Sequence, residues 1–141
     1  MALPDGRSEG GIILLVTRSV LLVDDDPEFR RIARVLLDGN GLSVVGEAGT
    51  VESAIAAARE LRPDAALVDV GLPDGNGIDL AEALIALPWR PRVVLTSADP
   101  HAGETGGRRS RVWTVVPKDE LPDVSLRQLL GGADDPGEED G

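Results

Sequence analysis

The chain contains no cysteine, so a disulfide framework, thiolate chemistry and a cysteine-ligated metal site are all excluded. Aromatic residues make up only 2% of it, which leaves Val, Leu, Ile and Ala to fill a core. Basic residues are in deficit: 14 Lys and Arg stand against 25 Asp and Glu, for a formal net charge of −11. A surface of that sign lacks the basic face needed to displace counterions from a phosphate backbone, which argues against direct nucleic-acid binding. It argues equally against adsorption to an anionic membrane. Long apolar runs are missing too, since nothing approaches the ~18 residues of a membrane span. The run at 12–16 (IILLV) is short and follows Asp5 and Glu9, where a secretory leader has a basic flank. These absences predict a cytoplasmic protein that contacts neither nucleic acid nor membrane directly.

What is present suits one compact domain: 141 residues, 42% of them apolar. The ends differ from the middle. Residues 1–11 are rich in glycine and charge, and the last eight residues hold Asp134, Asp135, Glu138, Glu139 and Asp140. This divides the chain into a partly disordered extension at 1–18, a domain at 19–131 and a disordered acidic tail at 132–141. No further domain is expected after the tail.

From Val20 the pattern alternates. VLLV at 20–23 is a continuous apolar run of strand length, the kind covered on both faces. Asp26 and Pro27 then read as a helix cap and first turn. Phe29, Ile32, Ala33 and Leu36 share one helical face, and the glycines around Asn40 end it. A second strand is expected at 43–45, and a second helix starts at a Thr50 cap and stops at Pro63. A third strand falls at 65–70 (AALVDV), followed by a Gly/Pro turn at 71–77 and a helix carrying Leu80, Ala81, Leu84 and Ile85. Further strands are expected at 93–95 and 112–116, with a short last helix at 123–130. Strands alternating with helices predict an α/β fold, a doubly wound parallel sheet with helices on both faces. The segment 97–111 should hold the fourth helix, but it has little apolar periodicity, three glycines and a cluster of Arg108, Arg109 and Arg111. That helix is therefore doubtful.

Ligands of such sheets sit outside the carboxyl ends of the strands. Strand one ends in Asp24, Asp25 and Asp26; strand three carries Asp69; strand four ends in Thr96 and Ser97; strand five ends in Pro117 and Lys118. Each alone has an ordinary reading as a cap, a turn residue or a solvated charge, and Asp26 reads as the cap of the first helix. Together at successive strand ends they bring carboxylates, a hydroxyl and an ammonium to one edge. Clustered carboxylates repel unless a cation lies between them, and Mg²⁺ favours a few such hard oxygens along with phosphate. A carboxylate beside Mg²⁺ can attack a phosphoryl group. Lys118 and the Thr96 hydroxyl would then serve the equatorial oxygens.

The segments LLVDDDPEFRRI (21–32), ALVDVGLPDGNGIDL (66–80), VVLTSAD (93–99) and VVPKDEL (115–121) resemble the signature segments of response-regulator receiver domains, over residues 19–131. The resemblance implies a five-stranded parallel sheet in the 2-1-3-4-5 order, which is the order described for the family's chemotaxis member. It implies Asp69 as phosphoacceptor, Asp24 and Asp25 as the acidic pair holding Mg²⁺ with Asp69 and the Gly71 carbonyl, Thr96 as switch hydroxyl and Lys118 as the motif lysine. Pro73 and Gly77 match the loop after the acceptor. The phosphoryl donor would be a histidine kinase or phosphotransfer protein, and the chain would signal rather than act as an enzyme. The KDEL ending is similar to receivers that precede LuxR-type DNA-binding domains. Val115 stands where the family has its switch aromatic, and Pro117 precedes the lysine where the family has a following proline. Two other readings compete: a degenerate receiver that binds partners without phosphorylation, and a haloacid-dehalogenase-type phosphatase whose motif Asp24 and Asp26 mimic. Against the latter, Pro27 and Glu28 follow where Gly or Thr-type residues are wanted. His101 reads as a surface residue, and Arg30, Arg31 and Arg34 as solvated charges.

Overall fold

The computed structural model describes residues 18–99 and 113–131. The run at 12–16, the segment 100–112 with His101 and its three arginines, and the acidic tail lie outside the described residues. The elements are β1 (Ser19–Val23), α1 (Pro27–Gly39), β2 (Ser43–Ala48), α2 (Val51–Leu61), β3 (Ala65–Asp69), α3 (Gly77–Ile85), β4 (Arg92–Ser97), β5 (Trp113–Pro117), a 3-10 turn (Lys118–Asp123) and α4 (Leu126–Gly131). The strands form one parallel sheet in the order β2-β1-β3-β4-β5, the doubly wound arrangement that the alternation predicts.

Side chains alternate across a strand, so an unbroken apolar strand serves two cores. Leu21 and Val23 of β1 join Ala66, Val68, Val93 and Leu95 against Ala54 and Ala58 of α2 and Leu80, Ala81 and Leu84 of α3. Val20 and Leu22 join Ala65, Leu67, Val94 and Val116 against Ala33 and Leu37 of α1 and Leu121, Leu126 and Leu130 beyond β5. This is why 20–23 reads VLLV rather than alternating. Leu67 is 1% exposed, and truncating such a residue to Ala costs about 2–5 kcal/mol.

The helices begin where their caps dictate. Asp26 accepts from Glu28 N at 3.0 Å, with Pro27 in the first turn of α1. Thr50 and Ser53 form a reciprocal capping box at α2. On α1 the buried stripe runs through Ala33 and Leu37 with Phe29 and Leu36 partly covered, while Ile32 is 52% exposed. Ile32 lies one residue, about 100°, off that stripe. The end of the domain also differs from expectation. Residues 118–123 form a 3-10 turn containing Pro122, and the helix starts only at Leu126, where Gln128 N meets Ser125 Oγ at 3.2 Å. Proline has no N–H to continue a helix, so a fresh cap is needed. The turn after β3 contains an antiparallel ribbon, Gly71–Leu72 against Gly75–Asn76. Among the described residues no helix is long and apolar enough to cross a membrane.

Candidate acidic site at the carboxyl edge of the sheet

The strand registers set Ala48, Val23, Val68, Leu95 and Val115 level with one another. One residue further on, Asp69 pairs with Thr96, and Asp24 has just left β1. The residues read from the strand ends thus arrive at one edge. Ligand oxygens of Asp24, Asp25 and Asp69 all lie within 4.8 Å of one another. Asp24 and Asp69 are buried and Asp25 is exposed. Lys118 Nζ stands 2.7 Å from Asp24 Oδ2 and 3.7 Å from Asp69 Oδ2. It also sits 4.3 Å from the centroid of the Phe29 ring. Asp26 is spent on the α1 cap and stands apart from the cluster.

Several backbone contacts hold the cluster. Asp26 N donates to Asp24 Oδ1 at 2.8 Å and Gly71 N donates to Asp69 Oδ1 at 3.2 Å. Val70 N donates to Thr96 O at 2.8 Å, tying the start of the loop to β4. The loop then closes on Gly77, whose N–H donates to Val70 O at 2.7 Å. A Cβ at Gly77 would lie 2.2 Å from Asp69 O and 2.7 Å from Val70 Cα, so no larger residue fits.

The electrostatics follow from this packing. Burial raises the Asp69 pKa above the usual carboxylate value, the Asp24 charge raises it further, and the Gly71 N–H and Lys118 oppose them. Burial alone would lower the Lys118 pKa, but its hydrogen bond to Asp24 and the charges of Asp24, Asp69 and Asp26 raise it. The Thr96 hydroxyl is buried and has no hydrogen-bond partner among the described residues. Asp24 Oδ2 is likewise buried, with the Lys118 ion pair as its contact. An orphaned buried hydroxyl costs free energy unless something completes it.

Two further features, besides the Phe29 ring beside Lys118, were not legible in the sequence. The carboxylate of Asp74, at the tip of the ribbon, accepts from Val51 N at 2.7 Å and Glu52 N at 3.2 Å, and these bonds lower its pKa. It thereby ties the loop after β3 to the start of α2. The second is a correction: Arg30 and Arg34 are not simply solvated. Glu47 on β2 takes Arg30 Nε at 2.9 Å and Arg34 Nη2 at 2.9 Å, and Arg30 Nη1 donates to Asp24 O at 2.6 Å. Arg31 remains exposed. At the position of the family's switch aromatic, Val115 packs half-buried against the α2 and α3 side of the sheet.

The comparisons with known proteins identify the family and the fold. The model of the response regulator receiver domain matches residues 20–124. The DNA-binding transcriptional activator DevR/DosR of Mycobacterium tuberculosis is 48% identical over 80 residues, covering 55% of this chain and 37% of that one. The DNA-binding response regulator MtrA of Mycolicibacterium smegmatis is 34% identical over 125 residues, covering 84% and 54%. The chain spans about two-fifths to half the length of these relatives. Among solved structures, the receiver domain of the response regulator PhyR from Erythrobacter litoralis superposes with a TM-score of 0.67 at 27% identity, covering 83% of this chain and 89% of that one. With the family matched over residues 20–124, and the expected strand order observed, the chain belongs to the response regulator receiver domain family.

Proposed function

We propose that the chain is a phosphoacceptor that takes a phosphoryl group on Asp69 from a histidine kinase or phosphotransfer protein and relays the signal through protein contacts. The carrying observation is the convergence of Asp24, Asp25 and Asp69 with Lys118 beside a buried Thr96 hydroxyl that has no partner among the described residues. The donor set fits Mg²⁺: hard carboxylate oxygens, close enough to share one ion and otherwise mutually repulsive. Asp24, Asp25, Asp69 and the Gly71 carbonyl would hold it. When bound, the ion neutralises charge on the carboxylates and on the phosphoryl oxygens.

The protein's own groups divide the remaining work. An Asp69 carboxylate oxygen attacks phosphorus, the new O–P bond forms, and the bond to the donor's leaving group breaks with its electron pair. Asp69 needs no general base because it reacts as a carboxylate. Lys118 stands beside it to bind an equatorial phosphoryl oxygen, and Thr96, level with Asp69 on the next strand, has a free hydroxyl to donate to another. The DNA binding named for DevR/DosR and MtrA is theirs. With a net charge of −11, this chain is assigned an output by protein contacts.

The test is incubation with acetyl phosphate and Mg²⁺. A hydroxylamine-labile adduct should form on the native chain and disappear in Asp69→Asn. An undiminished adduct in Asp69→Asn would sink the assignment, and no adduct on the native chain would favour the degenerate receiver.

A further inference from the structure

Lys118 has three neighbours of two kinds, two carboxylates and an aromatic ring. Asp24 Oδ2 is 2.7 Å away, Asp69 Oδ2 is 3.7 Å away, and the Phe29 ring centroid is 4.3 Å away. The tightest of these is also the contact that a divalent cation would contest, since Asp24 belongs to the carboxylate cluster. A lysine stem has several rotatable bonds and a strongly hydrated head, so an ammonium that loses its main partner tends to drift into water. Lys118 is 21% exposed and has water within reach.

Phe29 supplies a partner that does not have this conflict. An aromatic face attracts an ammonium within about 6 Å of its centroid. Unlike a carboxylate, it neither titrates nor ligates a hard cation. Phe29 sits in the first turn of α1, two residues after Pro27, and is partly buried against the core cluster that includes Val116 and Leu121, which flank Lys118 in the chain. We propose that Phe29 is a positioning residue, its ring face keeping the Lys118 ammonium beside Asp69 when Asp24 gives its carboxylate to a divalent cation. This deepens the proposed function and rests on it.

The sequence makes the test unusually direct. Lys118 is the only lysine in the chain and Phe29 its only phenylalanine. Isotope-labelled lysine therefore gives one side-chain signal, and fluorinated phenylalanines enter at one position. In the first arm, the Lys118 Hε protons are followed by NMR during a Mg²⁺ titration of the full chain. They should keep their upfield ring-current shift at saturating Mg²⁺. Loss of that shift would mean that the lysine leaves the ring, and the proposal would fall. In the second arm, mono-, di- and trifluorophenylalanine replace Phe29, weakening the ring's attraction with little change of shape. The acetyl phosphate rate at saturating Mg²⁺ should fall stepwise, by about threefold to tenfold in total, at constant melting temperature. A flat series would show that Phe29 is core filling and nothing more. If the native chain accepts no phosphoryl group, the functional reading fails by itself, and the NMR arm still decides the role of Phe29.

Discussion

The two edges of the sheet are built on opposite terms. At the amino edge, polar groups find each other. Asp64 Oδ2 accepts from Ser19 N at 2.9 Å and from Ser19 Oγ at 3.1 Å, while Ser19 Oγ accepts from Asp64 N at 2.9 Å. Trp89 Nε1 donates to Pro63 O at 2.8 Å, and Arg62 stacks 4.3 Å over the same indole. At the carboxyl edge, three carboxylates crowd together, one hydroxyl has no partner among the described residues, and one lysine serves two acids. The first edge is arranged to close the fold. The second holds groups that the protein alone leaves incompletely compensated, which is the usual mark of a site that expects a ligand.

Three substitutions would sharpen or break this contrast. The largest effect should come from Gly77→Ala, because the added Cβ meets backbone of Asp69 and Val70, which cannot yield as a side chain does. A loss of about 3 kcal/mol is expected in urea unfolding, at an unchanged dependence on denaturant. A loss under about 0.5 kcal/mol, the range of a neutral surface change, would show that the loop after β3 is pliant. At the other edge, Asp64→Ala removes the acceptor for both Ser19 donors and should cost about 1–3 kcal/mol. If it costs no more than an exposed Asp such as Asp38, the amino edge is not the anchor described above.

The smallest effect should have the opposite sign. Asp69→Asn should raise the melting temperature of the metal-free protein at neutral pH. Burial and the Asp24 charge hold the folded-state pKa of Asp69 above its unfolded value, so the wild type loses stability as pH rises through that raised pKa. Below the ordinary aspartate value of about 3.9, both states carry the neutral acid and the advantage of Asn should vanish. Saturating Mg²⁺ should reverse the order, because only the folded wild-type site gains from binding. Melting curves between pH 3 and 8, with and without Mg²⁺, check all three statements, and a gain that is independent of pH would rule out the charge as its cause.

The wider set of contacts explains how legible each part was. The apolar periods, the Asp26 and Thr50 caps and the proline stops act over a few residues, so the elements and their type could be read directly. The errors fall at element ends and on the fine orientation of α1, where Ile32 faces outward. They also fall at the Pro122 turn, where a 3-10 segment stands in place of the start of a helix. The candidate site was legible for a different reason. In a parallel sheet every strand runs the same way, so residues that follow successive strands share an edge whatever the intervening helices do.

The sequence by itself therefore determined the fold class, the strand order through its family resemblance, and the set of acids, hydroxyl and amine brought to the carboxyl edge. Only the tertiary structure decided how those groups are held. Asp74 reaches across 23 residues to the N–H groups of α2, Arg30 reaches across 17 to Glu47 and back to Asp24 O, and the ring of Phe29 meets Lys118. No local period or cap signals such contacts. They join side chains whose distance is fixed by the packing of separate helices on a twisted sheet, and that packing exists only once the whole core has formed.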